Sequence, residues 1–440
     1  MGLFKSSAKK HIEGHKELTK HAPIIRLEEV NPDACKKLYF PTMAPNGKPM
    51  TILVKEGDTV CVGTKIAERT DFYVPVYSPV SGKVLGIEDC FSSTIGRTIK
   101  HIVIENDFRK EKQLLPTVTL ESSKEELFAA MKEAGLVGMG GAGFPTYVKY
   151  NNVSGIDTIL VNAVECEPYL TTDFLAVQED AKALCEGAKL LMKIADAKEA
   201  IIALKVHKEE AKKAILDVIS NYENVRLVEV PDQYPMGWER TLIRQVLKRE
   251  YDRLPAEAHV IVNNAQTVIC LAHAMLEGVV PMNRLVTISG DGIVHPGSVL
   301  CPLGTLASAC IEACGGYSAE EIELIPGGPM CGKTVQKDTF PIQLAIGGLT
   351  ILKYKKPVPS EPCLRCGGCT SHCPAFLQPV EIKLAVEQNQ VDRMIKLDAM
   401  SCVECGMCSY VCPSKINVTD FVRKAKLQIR IYNMKNGGKK

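Results

Sequence analysis

Between residues 49 and 105, valine and isoleucine alternate with polar side chains, and Gly-Asp or Ser-Gly pairs interrupt them. That pattern predicts short strands and no helix. The period changes after residue 120. Ser122–Glu125 opens a helix with a serine cap and early acids; Leu127, Phe128 and Met131 follow at helical spacing, and Gly135 closes it. Downstream, apolar runs at 157–163, 199–205, 225–230 and 258–263 read as strands, and 207–221 as an amphipathic helix. This alternation is that of an α/β domain. Arg284–Gly290 begins another strand, and Gly297, Gly304, Gly315, Gly316, Gly327 and Gly328 punctuate the stretch after it. Lys353–Pro362 has the Pro and Lys content of an exposed linker. Beyond it, Ile382, Leu384, Ala385, Met394 and Leu397 recur at helix-compatible intervals, and Val418–Ile429 reads as a closing amphipathic helix.

Composition narrows the function classes. A chain of 440 residues is long enough for about three domains. A hydrophobic fraction of 46% and a charged fraction of 24% are those of an ordinary globular protein. A formal net charge of +2 makes no case for nucleic acid, and one Trp with few other aromatics offers no base-stacking platform. No apolar stretch is long enough to span a bilayer, so membrane attachment would come through a partner. No secretory leader is visible. Met1–Ser6 matches the myristoylation pattern only formally, and Lys435–Lys440 reads as a solvated basic tail.

The strongest chemistry lies near the C-terminus. Cys363, Cys366, Cys369 and Cys373 with Pro374, then Cys402, Cys405, Cys408 and Cys412 with Pro413, each spell C-x2-C-x2-C-x3-C-P, the bacterial-ferredoxin signature of a [4Fe–4S] cluster. Three closely spaced thiolates wrap one cube, and the fourth typically ligates the other. The expected ligand sets are Cys363, Cys366, Cys369 and Cys412 for one cluster, and Cys373, Cys402, Cys405 and Cys408 for the second. Two matching copies argue against zinc knuckles or disulfides, and the remaining scattered cysteines of the 18 fit a reducing compartment.

A second candidate is Gly138-Met-Gly-Gly-Ala-Gly-Phe-Pro-Thr-Tyr-Val-Lys149. It contains G-x-G-x-x-G, but a helix and not a strand precedes it, which disfavours a standard dinucleotide-binding first turn. Its glycines still let backbone N–H groups approach a phosphate or a flat ring, and Lys149 can neutralise a phosphate. Polar clusters fall at the ends of the expected strands: Asn162–Pro168, Tyr234–Glu239 and Asn263–Thr267. Open α/β sheets bind ligands there. Cys166 has no supporting histidine and reads as a packing residue.

These stretches carry three resemblances. Val54–Gly63 and Pro75–Val84 resemble the two halves of a biotinyl/lipoyl-type barrel-sandwich, but the connecting Ala67–Tyr73 lacks the lysine that accepts a cofactor in carriers. That implies a docking module. The Gly138–Lys149 loop, the Asn162–Pro168 turn, the Tyr234–Glu239 segment and the Asn263–Thr267 strand end resemble, in order, the flavin-binding parts of the NADH-oxidising subunit of respiratory complex I. The resemblance implies that Gly138, Gly140, Gly141, Lys149, Asn162, Glu165, Tyr234, Gly237, Asn263, Asn264 and Thr267 line a non-covalent FMN, and that Phe144, Glu167 and Glu239 face the nicotinamide nucleotide. Val164 and Trp238 stand where that subunit carries acids.

Taken whole, the chain is similar to the RnfC family, which belongs to the Rnf ion-translocating electron-transport complexes; the likeness includes the opening Glu13–Lys20 phrase. The implied fold class is multidomain α/β + β. It comprises an N-terminal barrel-sandwich at 1–112, a Rossmann-like α/β FMN/NADH domain at 113–280, a soluble-ligand-binding β-grasp at 281–352, and a linker with an α-helical two-cluster ferredoxin domain at 353–440. The implied function is that of a peripheral electron-transfer subunit on the cytoplasmic side of the cell membrane. It would exchange electrons between NAD(H) as substrate, FMN and two [4Fe–4S] clusters, with ferredoxin an indirect partner and other subunits moving Na+ or H+. Two alternatives stay open: a soluble cobalamin-reductase-like flavin/iron–sulfur protein, which residues 40–105 argue against, and a relay or scaffold without a working flavin site.

Overall fold

A computed structural model describes residues 23–141 and 143–436. The Met1–Ser6 pattern, the Glu13–Lys20 phrase, Ala142 of the glycine loop and the last four residues of the tail lie outside them. The described chain forms two compact units. The larger holds residues up to Asp232 together with Leu242–Tyr354; the smaller holds Gln233–Thr241 and Lys355 onward.

In the larger unit, the alternation near the N-terminus produces two facing sheets. One has the order Lys37–Pro41, Arg97–Asn106, Gly82–Ser92, Thr59–Val60; the other runs Met50–Ile52, Lys65–Arg69, Pro75–Tyr77. Their inward residues, Leu38, Phe40, Val60, Ile66, Val84, Ile102 and Ile104, make a separate apolar core. The turn after Ala67 is docked on the neighbouring domain. Tyr73 Oη donates to the Glu133 carboxylate at 2.6 Å, Tyr77 Oη donates to the Glu133 carbonyl at 2.6 Å, and the Phe72 ring meets Phe144 edge-on at 6.0 Å.

The α/β domain is a four-stranded parallel sheet in the order Val225–Val230, Glu199–Lys205, Thr158–Ala163, Val260–Asn264. The helix Lys124–Glu133 begins with a full capping box between Ser123 and Glu126. The Ala181–Ala195 and Ala265–Ala272 helices bury Leu184, Leu190, Leu191, Val268 and Leu271 against Ile159, Val161 and Ile202 of the sheet. Asp180 caps the former by accepting from Ala183 N–H at 3.1 Å, and it also lies 2.7 Å from His273 Nε2. That bond, with the Asp180 and Glu277 charges, lifts the His273 pKa from 6.5 to about 9 against the opposing effect of burial. A pKa raised on folding stabilises fully below 6.5 and is lost as pH climbs through about 9. Thermal unfolding between pH 6 and 10 should therefore show a decline that a His273→Gln variant lacks. The decline should be small, because the ring is about one-third exposed. An unchanged profile in the variant would remove the assignment.

The remaining sheet of this unit has five strands, in the order Ile24–Arg26, Gly297–Pro302, Asn283–Ser289, Gly348–Lys353, Ile322–Pro326. Its outermost strand comes from the start of the described chain, with Ile24 opposite Ser298.

In the smaller unit the spacer between the cysteine runs folds as two helices, Pro379–Glu387 and Val391–Lys396, separated where Asn389 takes a left-handed φ of +53°. They pack Ile382, Ala385, Val386 and Met394 on Val422, Ala425 and Ile429 of the long closing helix Val418–Lys435.

Candidate flavin site and cluster loops

Two neighbouring parallel strands carry an asparagine at or next to their last residue, and their register places Asn264 beside Asn162. Each side chain finishes its own strand end. Asn162 Oδ1 accepts from Val164 N–H at 3.0 Å. Asn264 Oδ1 accepts from Gln266 and Thr267 N–H, capping the Ala265–Ala272 helix, while its Nδ2 donates to both oxygens of Asp173 at 3.0 Å. Asn263 Nδ2 donates to the hydroxyl of buried Tyr150.

The glycine loop is tied to this edge at two points and closed on itself at a third. Met139 N–H donates to Thr267 Oγ1 at 2.9 Å, Lys149 Nζ donates to the Val262 carbonyl at 2.7 Å, and Gly138 N–H closes the loop on the Phe144 carbonyl at 2.8 Å. Between these ties Gly141 has φ +122°, a conformation L side chains rarely adopt, and a Cβ there would find no atom within 4 Å. The loop thus keeps bare backbone over open space beside a helix N-terminus and a lysine, which suits a phosphorylated ligand.

Beneath the loop runs a buried polar network. Glu165 Oε2 accepts from Asp173 N–H at 2.8 Å, and Asp173 accepts from Gln266 Nε2 at 2.7 Å. Gln266 Oε1 accepts from Arg284 Nη1. The fully buried Arg284 also donates to the carbonyls of Met139 at 3.2 Å and Ile346 at 3.1 Å. Burial pulls its pKa down, opposed chiefly by the Asp173 charge. Sequence reasoning missed Asp173, Gln266 and Arg284. Arg284 opens an apolar strand, and no local pattern marks it as the partner of a loop so far upstream.

Glu167 lies elsewhere on this unit. Its carboxylate accepts from the N–H groups of Met330 at 3.0 Å and Cys331 at 2.8 Å, the turn after the Ile322–Pro326 strand. Phe144 is partly exposed against Phe72. Val164 is core, 2% exposed, so an apolar residue suits its position. Cys166 is half-buried.

Tyr234, Gly237, Trp238 and Glu239 belong to the unit that carries the cysteines. Tyr234 is buried there, and its hydroxyl donates to the Cys405 carbonyl at 2.6 Å. Glu239 starts the Glu239–Leu247 helix.

The two cysteine runs adopt one conformation twice. Arg365 and Glu404 have φ of +52° and +55°, Gly367 and Gly406 both +75°, and short helices follow at Gly368–Ser371 and Met407–Tyr410. Arg365 N–H lies 3.4 Å from Cys363 Sγ, and Glu404 N–H lies 3.3 Å from Cys402 Sγ. One cavity is lined by Cys363, Cys366, Cys369 and Cys412, the other by Cys373, Cys402, Cys405 and Cys408. Four thiols around each space suit a polynuclear iron–sulfur group. Among the described residues no three metal-ligating side chains converge as a single metal ion would require. The cavities differ in setting, since Cys363 and Cys366 are exposed and Cys405 is buried.

Three family models match in chain order: the RnfC barrel sandwich hybrid domain over residues 9–109, the Nuo51 FMN-binding domain over 131–273, and a 4Fe-4S dicluster domain over 359–416. Among curated proteins, the C subunit of the Na(+)-translocating ferredoxin:NAD(+) oxidoreductase complex of Acetobacterium woodii is 35% identical, over 87% of this chain and 88% of its own. The chain belongs to the RnfC family. The RnfC counterpart in the proton-translocating ferredoxin:NAD(+) oxidoreductase complex of Clostridium ljungdahlii is 33% identical over 84% of this chain and 81% of its own. That of the ion-translocating oxidoreductase complex of Rhodobacter capsulatus is 31% identical over 89% and 76%. Membership in the RnfC family makes this chain one component of a membrane-associated complex, and no helix among its described residues is long and apolar enough to cross a membrane.

Proposed function

We infer that this member of the RnfC family exchanges electrons between NAD(H), FMN and two [4Fe–4S] clusters, as a peripheral subunit facing the cytoplasm. Partner subunits would couple that exchange to ion movement; the relatives are named for Na+ in one case and protons in another. The observation that carries the reading is the meeting of the glycine loop with the Asn162–Asn264 strand ends, the position at which open parallel sheets take their ligands. Gly138, Gly140, Gly141 and Thr267 would hold FMN through the loop, with Lys149 at the phosphate. Asn162, Glu165, Asn263 and Asn264 would line its base; Tyr234 and Gly237, the other flavin residues that the resemblance implies, lie in the smaller unit. Phe144 and Glu167 would shape the nucleotide side, and Glu239 of the smaller unit is the third nucleotide residue that the resemblance implies. Bound FMN would supply the conversion between electron pairs and single electrons that nicotinamide and the clusters require. Cys363, Cys366, Cys369 and Cys412 would ligate one cluster, and Cys373, Cys402, Cys405 and Cys408 the other. The five-stranded sheet is proposed as the β-grasp module, and the docked, lysine-free turn of the barrel-sandwich supports a packing role for it.

Anaerobic purification followed by acid extraction should recover FMN from the wild type. A Lys149→Ala variant should retain its iron yet bind FMN about tenfold more weakly, near the loss of one desolvated charge-assisted contact. Its NADH-driven dye reduction should fall in proportion. Equal flavin content in the two proteins would overturn the role given to Lys149, and a wild type with iron but no FMN would leave only an iron–sulfur relay.

A further inference from the structure

Tyr234 has a second relationship that its expected place in a flavin site does not explain. Its ring is 1% exposed and its hydroxyl donates at 2.6 Å to the carbonyl of Cys405. A buried phenol needs a partner, and this one has taken a backbone atom in the loop of a thiolate that lines the less exposed cysteine cavity. No counterpart hydroxyl is bonded to the carbonyl of Cys366, the equivalent position of the first run, among the described residues. The two loops share backbone conformation, so the phenol and the deeper burial of Cys405 are what set them apart.

We propose that Tyr234 is a positioning residue for the Cys405 loop, and that it sets the reduction potential of the Cys373–Cys402–Cys405–Cys408 cluster apart from that of the other. The inference rests on the ligand sets proposed above. Its physical basis is local electrostatics. The donated proton places positive charge at the backbone carbonyl of a residue that would ligate a group that becomes more negative on reduction. Hydrogen bonds around ligands and the dryness of a site are the terms through which a protein tunes such a cluster. Without the hydroxyl, the carbonyl dipole is uncompensated and the reduced state is disfavoured. The effect is selective because Cys363 and Cys366 are exposed, where water screens such dipoles. Tyr234 thereby raises the potential of this cluster above what its loop would give without the hydroxyl.

The test is a redox titration of the anaerobically purified, iron-loaded protein, following the two clusters by electron paramagnetic resonance in wild type and Tyr234→Phe. The ring stays in place, so iron content should be unchanged. The expected result is a more negative potential for one cluster alone. At a fixed applied potential its reduced-to-oxidised ratio should fall severalfold to tenfold, tenfold being 59 mV for one electron. The shifted signal should be the one missing from a Cys405→Ala variant. Tyr234→Leu, which also removes the ring, should shift the same cluster and lower its stability to chelation. Two unchanged potentials, or both moving together, would overturn the proposal. A shift confined to the signal that Cys405→Ala retains would equally overturn it, since Tyr234 would then act on the cluster that Cys405 does not ligate.

Discussion

Replacing Cys373 by alanine should destroy the cluster that begins at Cys402, and leave intact the one that begins ten residues earlier in its own run, at Cys363. The reason is the crossing of the fourth cysteines. Cys373 shares a cavity with Cys402, Cys405 and Cys408, while Cys412 shares one with Cys363, Cys366 and Cys369. Iron should fall from about eight to about four atoms per chain. Cys373→Ala combined with Cys405→Ala should lose no more than either alone, whereas Cys373→Ala with Cys412→Ala should lose both clusters. If Cys373→Ala and Cys363→Ala abolish the same spectroscopic signal, each run would be self-contained and the crossed assignment wrong.

Arg284→Met should destabilise the larger unit by about 3–5 kcal/mol, the usual result of removing one partner from a buried charged network. The loss has identifiable parts. Asp173 and Glu165 keep their carboxylates in the interior without the guanidinium that faces them, and Gln266 Oε1 and the carbonyls of Met139 and Ile346 lose a donor. Arg284→Lys should recover only part of it, since a point charge cannot reach three acceptors that a planar fork serves together. Because one of those acceptors is Met139, flavin retention should drop even in the Lys variant, measured at a temperature where both proteins stay folded. Unfolding in urea with a midpoint matching the wild type would show the network to be dispensable.

What the chain disclosed in advance divides along a physical line. The cysteine runs, the Ser123 cap and the glycine loop are local patterns, fixed by chemistry among residues a few positions apart, and they could be read directly. The strand at 199–205 is visible because burial on both faces leaves an apolar run, Ala200–Leu204, whereas the edge strand at 225–230 interrupts its apolar residues with exposed Arg226 and Glu229. What stayed hidden depends on distant partners. Asp173 sits within an ordinary helix, and its meaning comes from Asn264 and Gln266. Tyr234 stands out in the sequence only through the flavin segment, and nothing near it announces its bond to Cys405. Glu167 read as a nucleotide-facing acid, with nothing nearby in sequence to announce Met330 and Cys331. The spacer read as helical, but the break at Asn389 needed a left-handed residue that periodicity does not reveal.

The strand Ile24–Arg26 also has a bearing on how the molecule is made. It is made well before the edge it pairs with, Ser298–Leu300, which is synthesised only after the barrel-sandwich and the α/β domain have emerged. Until then it is an unsatisfied β-segment waiting for a template, the sort of species that chaperones shield and that aggregation exploits. Its pairing closes a very large loop, so it adds late and slowly. Once formed, it fastens the beginning of the described chain to its third module, and those modules mature as one interlaced body.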